Sequence, residues 1–388
     1  MLALTFDLTS LFAGGIVALF APNFTAAPWI LALFPPILTI RGNISGILSG
    51  NLATMLHLGL IHPQIRGNTD VYRRLINAVF VLTFLDTLVM GMISFILNLL
   101  FGRASLGQLY IFALVPTISC TLAVSISVPL TSLIAIVAYK RGLNPDILVY
   151  PILSAINDIV VTSCFIATSF LVLEGGSVLY LLGGAVILLI LFSLFLFLRN
   201  RRTEFFSQTL REGSLVVIVS SLFGSLNGLF LSRMMQGIQH NPGIVVLYPA
   251  LTSTLGDIGS IVGSITTTSL ALGYISNFSE EVRGGVGPIL KVEAVAALMH
   301  VVFGAVAYLI VKPASPGASL SFLMGVALAT NLSSFLVISV FALVVAFYSF
   351  RRGLNPDNVV IPIITSSSDT VATLSILPAL SIIRILGV

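Results

Sequence analysis

The apolar residues of this chain fall in long runs separated by short polar stretches. A helix needs about 20 mostly apolar residues to cross a bilayer, at ~1.5 Å rise each over roughly 30 Å of hydrocarbon. On that scale the runs predict spans at 8–22, 27–61, 73–100, 107–139, 146–172, 177–198, 213–233, 241–276, 289–311, 319–349 and 358–385, eleven in all. The first is the shortest. The second and eighth are longer than a straight crossing requires and carry helix breakers, Pro35-Pro36 with Gly42 and Pro249 with Gly256. Bent or interrupted helices are expected there.

Composition agrees with the pattern. The chain is 57% hydrophobic and 8% charged, with a mean hydropathy of +1.10, whereas soluble domains carry about 25% charged residues. A net charge of +4 gives no reason to expect a nucleic-acid partner. Cys120 and Cys164 both lie in apolar runs, so neither a disulfide framework nor a CxxC metal site is expected. The N-terminus has no basic segment followed by a small-residue cleavage site, so no cleaved signal peptide is expected. The basic residues give a direction. With the N-terminus inside, 13 of the 18 Lys and Arg fall in cytoplasmic loops and 4 outside, and Arg41 lies within a span. Lys and Arg favour the cytoplasmic side, so the expected topology is N-terminus cytoplasmic and C-terminus outside.

Two segments repeat. KRGLNPDILVYPILSAINDIV (140–160) and RRGLNPDNVVIPIITSSSDTV (351–371) share 11 of 21 residues at an offset of 211. PPILTIRGN (35–43) and PALTSTLGD (249–257) align at offset 214, matching Pro35 with Pro249, Gly42 with Gly256 and Asn43 with Asp257. These motifs sit on the second and fifth spans of two five-span units, 1–174 and 206–388, joined by a linker span within 175–205. Five is odd, so two units fused directly would lie inverted; one added span makes them parallel. The fold class is therefore an all-α polytopic bundle with a pseudo-twofold axis along the membrane normal.

Carboxylates inside a bilayer are costly and mark function. Asp86, Asp158, Asp257 and Asp369 lie deep in spans. Asp158 and Asp369 are repeat equivalents, each 12 residues beyond the helix-opening Asp146 or Asp357. That is about 18 Å, near the midplane, where the axis would bring them face to face. Asp257 and Asn43 approach similar depth from the opposite side. Like charges in low dielectric ask for a cation. Oxygen ligands suit Mg²⁺, with Mn²⁺ or Ca²⁺ as relatives, and no Cys/His cluster favours a softer metal. Ser154 and Thr365, one turn before the two carboxylates, complete the candidate set around a largely hydrated ion.

Other features have plainer readings. Asn144-Pro145-Asp146 and Asn355-Pro356-Asp357 read as helix starts, with Asn as cap and Pro at the first position. Asp86 and His300, equivalent on the third spans, read as buried structural groups. Arg41 is expected to turn away from a pore or pair with a carboxylate, Asp86 being the candidate. The glycines at 42, 46 and 50 and at 256, 259 and 263 predict close helix packing.

On these motifs, P-x6-GN at Pro35 to Asn43, P-x6-GD at Pro249 to Asp257, and NPD-x4-P-x6-D twice, the sequence resembles the MgtE and solute carrier family 41 group of magnesium transporters. The resemblance covers essentially the whole chain. It implies a pore between the second and fifth spans of both repeats, with Asp158 and Asp369 at the central ion site. MgtE-like proteins build this from a dimer of five-span units, and the fused form is similar to solute carrier family 41, so a monomer is expected to suffice. The cytosolic sensing domains of MgtE-like channels have no match here. Asn43 facing Asp257 also makes the two halves electrostatically unequal.

The expected function is therefore divalent-cation transport across the plasma membrane. The alternative is a cation-coupled secondary transporter of a small organic solute. No HExxH, GxSxG or Walker motif supports an enzyme. The topology has a direct check. A reporter at residue 145 and another at residue 388 should label from opposite faces of sealed vesicles, and labelling from one face would overturn the eleven-span, N-inside order.

Overall fold

The computed structural model describes residues 5–20, 27–142, 145–233, 241–271, 278–313, 315–354 and 356–385. Among these there are helices and turns but no strand. The α-helices are α1 (Ser10–Leu19), α2 (Trp29–His57), α3 (Asp70–Leu100), α4 (Leu109–Lys140), α5 (Pro145–Glu174) and α6 (Gly176–Asn200). They continue with α7 (Glu204–Arg233), α8 (Gly243–Ala271), α9 (Phe278–Val311), α10 (Leu320–Arg351) and α11 (Pro356–Ile385). Their order matches the eleven predicted spans. Asn144, Asn355 and the side chains of Asp146 and Asp357 lie outside the described residues, although Pro145 and Pro356 do open α5 and α11.

Ten of these helices are long and apolar enough to cross a membrane. α1 is not: with the 3-10 turn Phe6–Thr9 before it, it forms a short apolar helix, Phe6–Leu19. At 1.5–2 Å per residue that reaches only about 20–25 Å. The expected interruptions of the second and eighth spans are also absent, since α2 runs unbroken through Pro35 and Pro36 and α8 through Pro249.

Burial sorts the helices by role. All of the apolar span of α2 and 94% of that of α8 are enclosed by protein, against 11% for α6. α6 therefore faces lipid, and among the described residues it packs chiefly on α3, α4 and α5. α11 packs on both α2 and α8. It can do so because the glycine stripes of both face it. A Cβ at Gly46 would lie 3.0 Å from Ile361, and one at Gly263 would lie 2.6 Å from Ile364. Gly42 and Gly256, repeat equivalents, both lie against Thr365.

The two units also exchange their first helices. α1 packs on α8 and α9 of the second unit, and α7 packs on α2 and α3 of the first. The contacts are symmetric to the residue. Gly14 lies against the backbone of Val245 and Val246, and Gly228 against that of Ala32; 14 and 228, like 32 and 246, differ by the repeat offset of 214. Proline explains the approach. Pro36 cannot donate to the Ala32 carbonyl against Gly228, nor Pro249 to that of Val245, one of the two carbonyls against Gly14, so these two oxygens lack the usual helix donor, and a residue without a side chain fits closely against them. The breakers admit a neighbouring helix without interrupting their own.

The axis itself is marked by Phe34 and Tyr248, equivalents at offset 214, whose ring centroids are 6.1 Å apart. Phe165 stacks on Phe34 at 6.2 Å. Arg103 and Arg233, both assigned to the outer side by the charge rule, share one end of the bundle: Arg103 donates to Ser232 at 2.9 Å and Arg233 covers the Phe101 ring.

Gly228→Leu should therefore be severe, because the clash is with backbone and no rotamer relieves it; overpacking of this kind costs about 1–3 kcal/mol or more. Gly183→Leu, on α6 with open space around it, should be neutral. Unfolding midpoints in detergent compare the two, and equal tolerance would refute the packing account.

Candidate functional site

The core of the bundle is polar along one band. Two features put it there: α2 and α8 are enclosed by neighbours, yet both carry hydroxyl and charged residues at their midpoints, and α2 an amide at Asn43. A polar side chain on such a helix has no route to water and must find its partner among neighbours.

Arg41 on α2 is the centre of this band. Its guanidinium is 8% exposed and ion-paired with Asp158 of α5, which is wholly buried. It also donates to Ser154 at 2.9 Å and Ser253 at 3.4 Å. Asp158 in turn accepts from Ser10 and Ser253, both at 2.7 Å. Arg41 thus does pair with a carboxylate, but with Asp158 and not Asp86. The reason is a competitor: Asn43, two residues on, donates to Asp86 at 2.9 Å, and Ser221 adds a longer contact at 3.4 Å.

The six candidate residues occupy distinct situations. Asn43 is saturated, donating to Asp86 and to Ser220 (2.6 Å) and accepting from Ser366 (2.8 Å), so it ties α2 to α3, α7 and α11. Ser154 serves Arg41. Thr365 donates to the Pro362 carbonyl at 3.1 Å and sits between Gly42 and Gly256. Asp369 accepts from Thr39 at 3.0 Å and is partly exposed, unlike its equivalent Asp158. Asp257 is wholly buried, and among the described residues no donor reaches either of its oxygens. His300, bonded through Nδ1 to the Ala296 carbonyl at 2.8 Å, stands apart as a structural group.

One acidic residue was missed. Asp7, in the turn before α1, is wholly buried and accepts from Thr254 of α8 at 2.7 Å. Read linearly it precedes an apolar run and looks like a loop residue. The signal that could have placed it is the shortness of that run, which leaves its leading residues inside the bundle.

Arg41 lies within electrostatic range of four carboxylates, Asp7, Asp158, Asp257 and Asp369. One positive group thus faces four acidic ones in a low-dielectric interior. Among the described residues no three His, Cys, Asp or Glu side chains converge into a ready-made metal cage. What the arrangement offers is a field of excess negative charge lined with hydroxyls, suited to a cation that keeps part of its water. Phe34 and Tyr248 close the axis toward the N-terminal ends of α2 and α8.

Known proteins share this framework. A family model described as MgtE, divalent cation transporter, matches residues 34–168 and 248–378. Solute carrier family 41 member 3 of Rattus norvegicus is 25% identical over 258 residues, covering 64% of this chain and 54% of the relative. The same member from Mus musculus is 24% identical, covering 64% and 51%. The chain thus matches about half the length of these curated relatives. No solved structure matches it.

The Arg41–Asp158 pair carries its own prediction. Removing one partner of a buried pair costs about 3–5 kcal/mol, so Arg41→Leu, the residue of the second repeat at Leu255, should lower stability by that order in chelator. Adding Asp158→Asn should recover part of it, and Mg²⁺ should raise the midpoint of Arg41→Leu more than that of the wild type. Thermal unfolding in detergent reads all three; an Arg41→Leu midpoint equal to the wild type would refute the role of the pair.

Proposed function

Because this chain belongs to the MgtE family of divalent cation transporters, we propose that it carries Mg²⁺ across the plasma membrane through the junction of the second and fifth helices of its two units. The observation that carries this reading is the surplus of buried carboxylate at that junction, four acidic groups around one guanidinium. A divalent ion about 5 Å from one carboxylate gains about 6–7 kcal/mol at an effective dielectric of 20. That attraction offsets the loss of outer water, while Mg²⁺ keeps its inner waters. The same surplus repels an organic anion, which disfavours a solute transporter using these carboxylates for coupling.

In this reading the units are residues 1–174 and 206–388, joined through 175–205, with the N-terminus cytoplasmic. Asp369 is the entry ligand, since it is the partly exposed member of the pair. Asp158 is engaged when Arg41 is displaced. Asp257 supplies field and oxygens from α8, and Thr365 and Ser154 offer hydroxyls to hydration water. Asn43 holds α2 in register with α11. One chain supplies both halves of the axis, so a monomer suffices.

Asp369→Asn should lower Mg²⁺ flux into proteoliposomes at least tenfold, and combining it with Asp158→Asn should add less than the product of the two effects, since both act on one ion. Normal flux through folded Asp369→Asn would remove this carboxylate from the mechanism, and independent multiplicative defects would mean two separate sites.

A further inference from the structure

Two carboxylates of the cluster lack the support the others have. Asp158 holds Arg41, Ser10 and Ser253, and Asp369 holds Thr39. Asp7 and Asp257 are both 0% exposed. Thr254 donates to one oxygen of Asp7 at 2.7 Å, and Thr254 and Asp257, three residues apart on α8, share a helix face. Asp7 is thereby held near Asp257, which lies in the field of the Asp7 carboxylate. The second oxygen of Asp7 and both oxygens of Asp257 are buried, with no donor in reach among the described residues.

Neither residue has a structural use that explains this. Asp257 is mid-helix, where it cannot cap. Asp7 lies inside a 3-10 turn whose cap position is Thr5. Arg41 is bonded to Asp158, and its one charge cannot balance four carboxylates. Two neighbouring carboxylates with three donorless oxygens in a dry interior must be neutralised, by protons or by a cation held between them.

We propose that Asp7 and Asp257, with the Thr254 hydroxyl, seat a hard divalent cation between the first-helix segment and α8, beside the Asp158–Asp369 pair. The ligand class follows from the donors: oxygen only, two carboxylate charges, and too few protein atoms for a full shell. That suits a small ion that retains water, Mg²⁺ or Mn²⁺, over one needing seven or eight protein oxygens. The inference rests on the transport reading and locates the ion's resting position within it. Asp7 lies outside the segments matched by the family model, which begin at residue 34.

The test is Mn²⁺ titration of the purified full chain in detergent after chelator treatment, with free Mn²⁺ read by electron paramagnetic resonance. Asp7→Asn and Asp257→Asn should each weaken binding at least tenfold. Thr254→Val should weaken it by a smaller factor, since it releases Asp7 without removing its charge. Folded Asp7→Asn that binds Mn²⁺ within twofold of the wild type overturns the site. If Asp7→Asn does not fold, Thr254→Val decides, and unchanged affinity there overturns it. The transport reading fails separately, by absence of both Mn²⁺ binding and Mg²⁺ flux in the wild type. Normal wild-type flux with unchanged affinity in these variants removes this site alone.

Discussion

Buried negative charge is the constraint on which this molecule is built. A lone carboxylate in hydrocarbon is expensive enough that proteins neutralise it, pair it or omit it. Here four are gathered around one arginine. Their cost dictates much of the rest: α2 and α8 must be enclosed by neighbours, hydroxyls must line the faces that look inward, and the lipid-facing surface must be left to helices such as α6 that carry no carboxylate. The bundle is a sheath around an electrostatic centre, and its apolar exterior is the part that any sequence of suitable hydropathy could supply.

Duplication gives that centre its geometry, and divergence gives it chemistry. The exchange of α1 and α7 between units, seated by Gly14 and Gly228 on carbonyls that proline leaves bare, locks the halves so that the axis stays in register. On that axis the equivalents Phe34 and Tyr248 still meet. A few positions away equivalence has been given up. Arg41 faces Leu255, Asn43 faces Asp257, and Asp86 faces His300. Each change moves charge off the symmetric arrangement. The first unit has acquired its own cation and an amide that ties helices together, while the second has kept a carboxylate without a partner.

The sequence made the scaffold legible because its signals are long and local. Twenty-residue apolar runs, the loop charges and the NPD repeat need no knowledge of contacts, and the glycine stripes named the faces that receive α11. The centre was only partly legible. Asp158, Asp257 and Asp369 stood out because a deep carboxylate is conspicuous in any apolar run. Their partners did not, because Ser10, Thr39, Ser253 and Thr254 are common residues that acquire meaning only when a helix distant in sequence is placed against them. Arg41 illustrates the limit. Its need for a carboxylate followed from its depth, but the choice of Asp158 over Asp86 was made by Asn43, whose amide had already occupied Asp86. Competition among partners is a three-dimensional property. Asp7 escaped for the opposite reason: its neighbours in sequence are loop-like, and only the shortness of the first run hints that it lies inside. Proline misled in turn, because a breaker read alone predicts a kink, whereas here the Ala32 and Val245 carbonyls, out of reach of Pro36 and Pro249, are covered by Gly228 and Gly14.

Fusion of the two units is what permits the centre to be unequal. In a dimer of identical chains every residue on the axis appears twice. An arginine at position 41 would arrive as a pair, balancing two carboxylates and cancelling most of the field that draws a cation. In a single chain one arginine suffices, and the surplus carboxylates of the second unit remain. In the proposed transport reading the internal cation would do two things at once. It would lower the cost of the empty site, since Asp158 already holds a counter-charge, and it would set a threshold, because an ion engaging Asp158 would first have to replace a guanidinium bonded there and to Ser154. A site with no resident cation would be unstable when empty, and one with two would have little pull. The observed ratio lies between those limits, and only a chain that carries both halves can encode it.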